Sequence, residues 1–95
     1  MSEPDPIVSD DPATSRFTLH LDGRLIAHAD YSVDGEVLTV HHVETDPARR
    51  GNGYAAVLMN GIIESVRSRD QRVRPLCSYA AEYIRDDPAT HELVA

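Results

Sequence analysis

The hydrophobic period of this chain changes at Asp46-Pro47, and that change limits the folds open to it more than any other feature. Upstream, apolar residues recur at every second position. Phe17, Leu19 and Leu21 form one such set, and Leu25, Ala27, Ala29, Tyr31 and Val33 form another. Alternation of this kind marks strands with one buried face. Downstream, Ala55, Leu58, Met59, Ile62, Ile63 and Val66 share the spacing of a single helical stripe, which predicts a helix over residues 53–69.

Turn signals divide the strand half. Asp22-Gly23 and Asp34-Gly35 each read as a two-residue hairpin loop, because such turns need positive φ that Asp and Gly tolerate. The alternation places Ile26 with His28 and Asp30 on the solvent face of the second strand. The third strand, residues 36–45, is apolar on both faces at its start (Val37, Leu38, Val40, Val43), which predicts a central position in the sheet. It also puts His42 and Glu44 on one face and His41 on the other. Beyond the helix, residues 72–76 read as a short strand returning parallel to the third after a helical crossover. Residues 79–85 suit a closing helix stopped by Asp87-Pro88. The expected fold is therefore α+β: a three-stranded antiparallel meander, a long helix, a parallel return strand and a short C-terminal helix. Residues 1–14 hold three prolines and four acids without any period. They are expected to be a disordered acidic leader, leaving 15–95 as one domain.

Ninety-five residues allow one thin core. No apolar run approaches the roughly 20 residues of a membrane span, and the N-terminus lacks the basic and apolar segments of a secretory leader, so a soluble cytoplasmic protein is expected. A lone cysteine, Cys77, excludes an internal disulfide and any metal site built on paired cysteines; His20, His28 and His91 fall on separate elements, so no metal is expected. The net charge of −7 argues against non-specific binding to nucleic acid. Its distribution is uneven. Residues 1–48 carry ten acids and two arginines, whereas residues 49–85 carry three acids and seven arginines. All nine basic residues are arginine, which excludes Schiff-base chemistry and a P-loop lysine.

The electropositive stretch begins at the loop Arg49-Arg50-Gly51-Asn52-Gly53-Tyr54-Ala55-Ala56, between a strand and a helix. Glycine lets backbone amides approach an anion without an intervening Cβ, and the first amides of a helix have no intrahelical partner. Such a loop is an anion site. A P-loop would end in Gly-Lys-Ser/Thr, which Gly53-Tyr54-Ala55 does not supply. Gly51, Gly53 and Ala56 fit the letters of a dinucleotide fingerprint, yet that motif follows the first strand of its fold and needs further βα units, and here three strands precede it. The third reading is R-x-x-G-x-A, met by Arg50, Gly53 and Ala55.

Together with the strand end His42-Val43-Glu44-Thr45 and the segment Pro75-Leu76-Cys77-Ser78-Tyr79, this loop resembles the short single-domain GNAT-like N-acetyltransferases over roughly residues 16–94. The chain departs from that family's His-Thr-Glu-Val strand end by exchanging its Thr and Val. The resemblance implies that acetyl-CoA, or coenzyme A, is bound. Its pyrophosphate would lie on Arg49, Arg50, Gly51, Asn52, Gly53, Tyr54 and Ala55, and its pantetheine on the backbone of Val43 and Thr45. Arg49 and Arg50 would add charge-assisted bonds; the plain alternative for them is a solvated loop.

The resemblance also implies a thioester directed toward Cys77, His42 and Glu44. Acetylating an amine needs a base for an ammonium proton and an acid for the leaving thiolate. His42 or Glu44 fits the first role, though either also reads as a plain strand end. Tyr79 or Tyr83 fits the second, though both also read as amphipathic core residues. Cys77 is either a nucleophile that carries the acetyl group or a small wall residue. Two functions remain in competition: transfer of acetyl to an unidentified amine, either small or on a protein, and a non-catalytic domain sensing CoA or acyl-CoA. A monomer or weak dimer is expected, with cationic acceptors favoured by the acidic N-terminal half.

Overall fold

The computed structural model describes residues 5–95. Five strands form one sheet in the order β1-β2-β3-β4-β5: β1 (Ile7–Asp11), β2 (Arg16–Leu21), β3 (Arg24–Asp34), β4 (Val37–Thr45) and β5 (Arg72–Pro75). The first four pair antiparallel and β5 pairs parallel to β4. Helix α1 (Tyr54–Ser68) makes the crossover, and α2 (Ser78–Asp86) follows β5. A 3-10 turn, Pro47–Arg49, leads into the glycine loop, and a second, Pro88–Leu93, closes the chain.

Helix α1 packs against all five strands. Its stripe Leu58, Met59, Ile62, Ile63 and Val66 is buried against Phe17, Leu19, Ala27, Ala29, Leu38, Val40 and Val73 of the sheet. Each large side chain removed from water here contributes about 2 kcal/mol. Placing a charge at Ile62, in the middle of the stripe, would break the packing.

Strand β1 corrects the leader expectation. Residues 7–11 pair with β2 in regular register, from Ile7 opposite His20 to Asp11 opposite Arg16. The expectation for residues 1–4 lies outside the described residues. Long-range partners hold this strand. Asp10 accepts hydrogen bonds from the Tyr31 hydroxyl at 2.6 Å and from Arg69 at 2.8 Å, and Val8 packs against the core.

Two β-bulges correct the strand faces. Leu19 pairs with Ala27 while His20 pairs with Leu25, so Ile26 is the extra residue on β3. Ile26 is consequently buried and Leu25 exposed, the reverse of simple alternation. On β4, Tyr31 pairs with Val40 and Asp30 with His42, so His41 is the extra residue. Val40 stays in the core and His41 and His42 are both exposed. The first hairpin turns at Asp22-Gly23, with φ of 52° and 78°, as a type I′ loop requires. The second turns at Gly35-Glu36, one residue later than the sequence suggests, and the Asp34–Val37 pair closes it.

Candidate active site

The β3 bulge fixes where the glycine loop starts. The Ile26 carbonyl accepts the Asp46 amide at 2.7 Å, and the Asp46 carboxylate in turn accepts the Ala48 amide at 3.0 Å. Pro47 opens the 3-10 turn, where its missing amide costs nothing. Asn52 braces the loop by donating its side-chain amide to the Arg49 carbonyl at 3.0 Å. Gly53 then caps α1 in the left-handed region, φ 79° and ψ 9°, which other residues adopt only with strain.

The first bond of α1 runs from the Val57 amide to the Gly53 carbonyl. Among the described residues, the amides of Gly53, Tyr54, Ala55 and Ala56 have no protein acceptor. They converge at the positive end of a four-turn helix. A Cβ built on Gly51 or Gly53 would meet nothing within 4 Å, so the loop faces open space.

Strands β4 and β5 separate beside this loop. Their pairing ends at Val40 opposite Pro75. The Val40 carbonyl accepts both the Leu76 amide at 3.0 Å and the Cys77 amide at 3.3 Å, after which the chain turns into α2. Residues 41–45 of β4 extend past that point with no strand on this edge. The backbone groups that face this open edge, away from β3, are therefore available to an extended ligand.

A cleft of about 520 Å³ joins loop and split. Of the residues singled out in the sequence, His42, Val43, Glu44, Thr45, Arg49, Arg50, Gly51, Gly53, Tyr54, Ala55 and Tyr79 line it. Asn52 and Cys77 do not. Asn52 binds the loop's own backbone at Arg49, and Cys77 is half-buried at the N-cap of α2, packed against the core.

Arg49 and Arg50 form no ion pair among the described residues, so both guanidinium groups are available to an anion. Burial raises the pKa of the Tyr79 phenol, and the neighbouring Tyr83 adds to the rise, so this hydroxyl keeps its proton at neutral pH. The Glu44 carboxylate stands 3.7 Å from Nε2 of His42 and 3.6 Å from Nε2 of His28. His28 is the residue that strand alternation alone consigned to a surface pair; its cross-strand register with Glu44 brings it to the site. No group of three His, Cys, Asp or Glu side chains has metal-binding geometry among the described residues. No helix there is long and apolar enough to cross a membrane.

Comparison with known proteins agrees with this fold. Residues 16–93 match the family model described as GCN5-related N-acetyl-transferase. The ribosomal-protein-S18-alanine N-acetyltransferase of Escherichia coli superposes with a TM-score of 0.65 at 18% identity, over 75% of this chain and 49% of that one. A GCN5-like protein from Staphylococcus aureus gives a TM-score of 0.66 at 16% identity, over 100% of this chain and 91% of the other. A GNAT family acetyltransferase of Brucella melitensis, in complex with acetyl-CoA, gives 0.59 at 19% identity, over 72% and 50% of the two chains. This chain thus spans about half the length of the Escherichia coli and Brucella enzymes and nearly all of the staphylococcal protein. A comparison with curated proteins finds no match.

Proposed function

Because the chain belongs to the GCN5-related N-acetyl-transferase family, we propose that it moves the acetyl group of acetyl-CoA to an amine at the cleft beside Gly53. The observation that carries this reading is the meeting, in one cleft, of four unpaired helix amides and the unpaired edge of β4. That pairing of features suits a diphosphate joined to an extended amide-bearing arm.

When bound, acetyl-CoA supplies an acetyl group already activated as a thioester. The chain's own groups do the rest. The amides of residues 53–56 hold the pyrophosphate, and Arg49 and Arg50 add charge-assisted bonds to its oxygens. Backbone groups of Val43 and Thr45 bind the pantetheine arm along β4. Glu44 and His42 stand where a proton must leave an ammonium, and Tyr79 holds a proton for the departing sulfur. Three titratable side chains around the anion cradle favour an enzyme over a sensing module. The half-buried position of Cys77 off the cleft favours direct attack by the amine over a covalent acetyl-cysteine. A cationic acceptor, such as a polyamine or a lysine side chain, suits the net charge of −7.

Thermal unfolding with acetyl-CoA tests the reading. Ligand at about 100 times its dissociation constant stabilises the native state by about 2.7 kcal/mol, a rise in Tm of about 13 °C for a domain of this size. Gly53→Val places a β-branched side chain at φ 79° and in the mouth of the cradle. It should cost the apoprotein about 1–2 kcal/mol and abolish the acetyl-CoA shift. An undiminished shift in that variant removes the loop from the binding site. Release of CoA thiol in the presence of amines then separates enzyme from sensor, since a binding module shows the shift without turnover.

A further inference from the structure

Glu44 stands between two imidazoles, and only one of them belongs to the cleft just described. His42, two positions before Glu44 on β4, shares the cleft with it. His28 approaches from β3, where it is the direct cross-strand partner of Glu44. Both Nε2 atoms lie near the same oxygen, Oε2, at 3.6 Å for His28 and 3.7 Å for His42. These separations exceed a hydrogen bond and fall within ion-pair reach.

The three side chains differ in freedom. His42 and Glu44 are 57% and 53% exposed, whereas His28 is only 18% exposed. His28 is therefore the fixed member, set by sheet pairing and by its burial beside the β3 bulge. Glu44 also forms the wall between the main cleft and a hollow of about 210 Å³ that His28 lines from behind together with Leu25, Ile26 and Pro47. A carboxylate this exposed samples several rotamers unless something restrains it, and each rotamer lost from the productive set lowers the rate.

We propose that His28 is a positioning residue for acetyl transfer: it holds the Glu44 carboxylate at the cleft wall, where Glu44 takes a proton from the ammonium of the acceptor. This rests on the acetyltransferase reading above. In the transfer, the acceptor loses two protons and gains one N–C bond while the C–S bond breaks. One proton passes to Glu44 and then to solvent; the other ends on the leaving thiolate. The products are an amide, a free thiol and one released proton. His28 changes no bond order. Its contribution is the orientation of the group that does the work.

The test uses the full chain, with acetyl-CoA and spermidine as the acceptor probe, in the variants His28→Ala, His28→Gln, Glu44→Gln and His28→Ala with Glu44→Gln. His28→Ala should lower kcat about tenfold and leave the KM for acetyl-CoA within about twofold. His28→Gln, whose amide N–H replaces Nε2 and comes within hydrogen-bonding distance of Oε2 after a small rotation of the exposed Glu44 side chain, should recover most of that loss. The double variant should be no slower than Glu44→Gln alone, because a positioning residue has nothing to add once its client is gone. Losses that multiply, or a glutamine as slow as the alanine, overturn the proposal. A double-mutant cycle on urea unfolding reads the same contact with no acceptor present, and an absence of coupling there also overturns it. Wild-type protein that binds acetyl-CoA yet releases no thiol with spermidine or with a lysine peptide would defeat the acetyltransferase reading, and this proposal with it. Active wild type indifferent to His28 would defeat the proposal alone.

Discussion

Val8 of β1 lies so close to Gly61 of α1 that a β-carbon on Gly61 would sit 2.6 Å from Val8 Cγ1. The helix therefore gives up a side chain at this point so that the outermost strand can dock. An isolated helix would gain about 1 kcal/mol from Gly61→Ala. In this protein the clash should outweigh that gain, for a net loss of about 1 kcal/mol read by urea unfolding. Adding Val8→Ala should return part of the loss, since it removes the nearest atom. Stabilisation by Gly61→Ala alone would show that β1 is not seated on the helix.

This contact also explains why β1 was hidden in the sequence. Period arguments find strands that bury an alternating apolar row. In β1 the inward positions are Val8 and Asp10, one apolar and one acidic, and the acid is accepted indoors only because Tyr31 and Arg69 bind it. Those partners are 21 and 59 residues away along the chain. A glycine in the middle of a strongly periodic helix was the available local signal, and it marks close approach.

The long helix and the return strand were legible because each depends on local pattern. Helix α1 runs from Tyr54 to Ser68 against an expected 53–69, and β5 from Arg72 to Pro75 against 72–76. The bulges at Ile26 and His41 were not legible, since a bulge inserts one residue into a pairing whose partner is remote. Their effect on the candidate site is direct. The first supplies the carbonyl that anchors Asp46, and the second lies where β4 leaves its pairing with β5. The loop's residues could be named from glycine spacing, whereas the approach of His28 to Glu44 follows only from the register that the His41 bulge sets.

The Tyr31–Asp10 bond makes stability fall in alkali. Burial first, and then the hydrogen bond to Asp10, raise the Tyr31 pKa from 10.0 to about 12. Below pH 10 the phenol is protonated in both folded and unfolded chains and the stabilisation is complete. Between pH 10 and 12 the unfolded chain releases this proton and the folded one retains it, so stability declines as pH rises. The decline is at most about 2.7 kcal/mol, and smaller after solvent screening of a partly exposed ring. Burial raises Tyr79 and Tyr83 in the same direction, so they contribute to the slope. Tyr31→Phe should cost about 1 kcal/mol at pH 8 and show a shallower fall to pH 11 in urea unfolding. A slope equal to wild type would assign the alkaline loss elsewhere.

Cys77 tests the chemistry of the transfer itself. Its amide is bound to the Val40 carbonyl and its carbonyl accepts the Ala81 amide at 3.0 Å, so its backbone closes β5 and opens α2. The side chain packs against the core and is absent from the cleft lining. A thiol so placed contributes volume, and its replacement by alanine should cost about 1 kcal/mol of stability. Turnover with acetyl-CoA and an amine should persist in Cys77→Ala within about threefold of wild type. Mass spectrometry of wild type incubated with acetyl-CoA alone should show no added acetyl group on this residue. An adduct labile to hydroxylamine, with turnover lost in the alanine variant, would instead mean that α2 opens during reaction and that the amine attacks an acetyl-cysteine. The Val40 carbonyl would then have to release the Cys77 amide, and protection of that amide against hydrogen exchange should drop when acetyl-CoA binds.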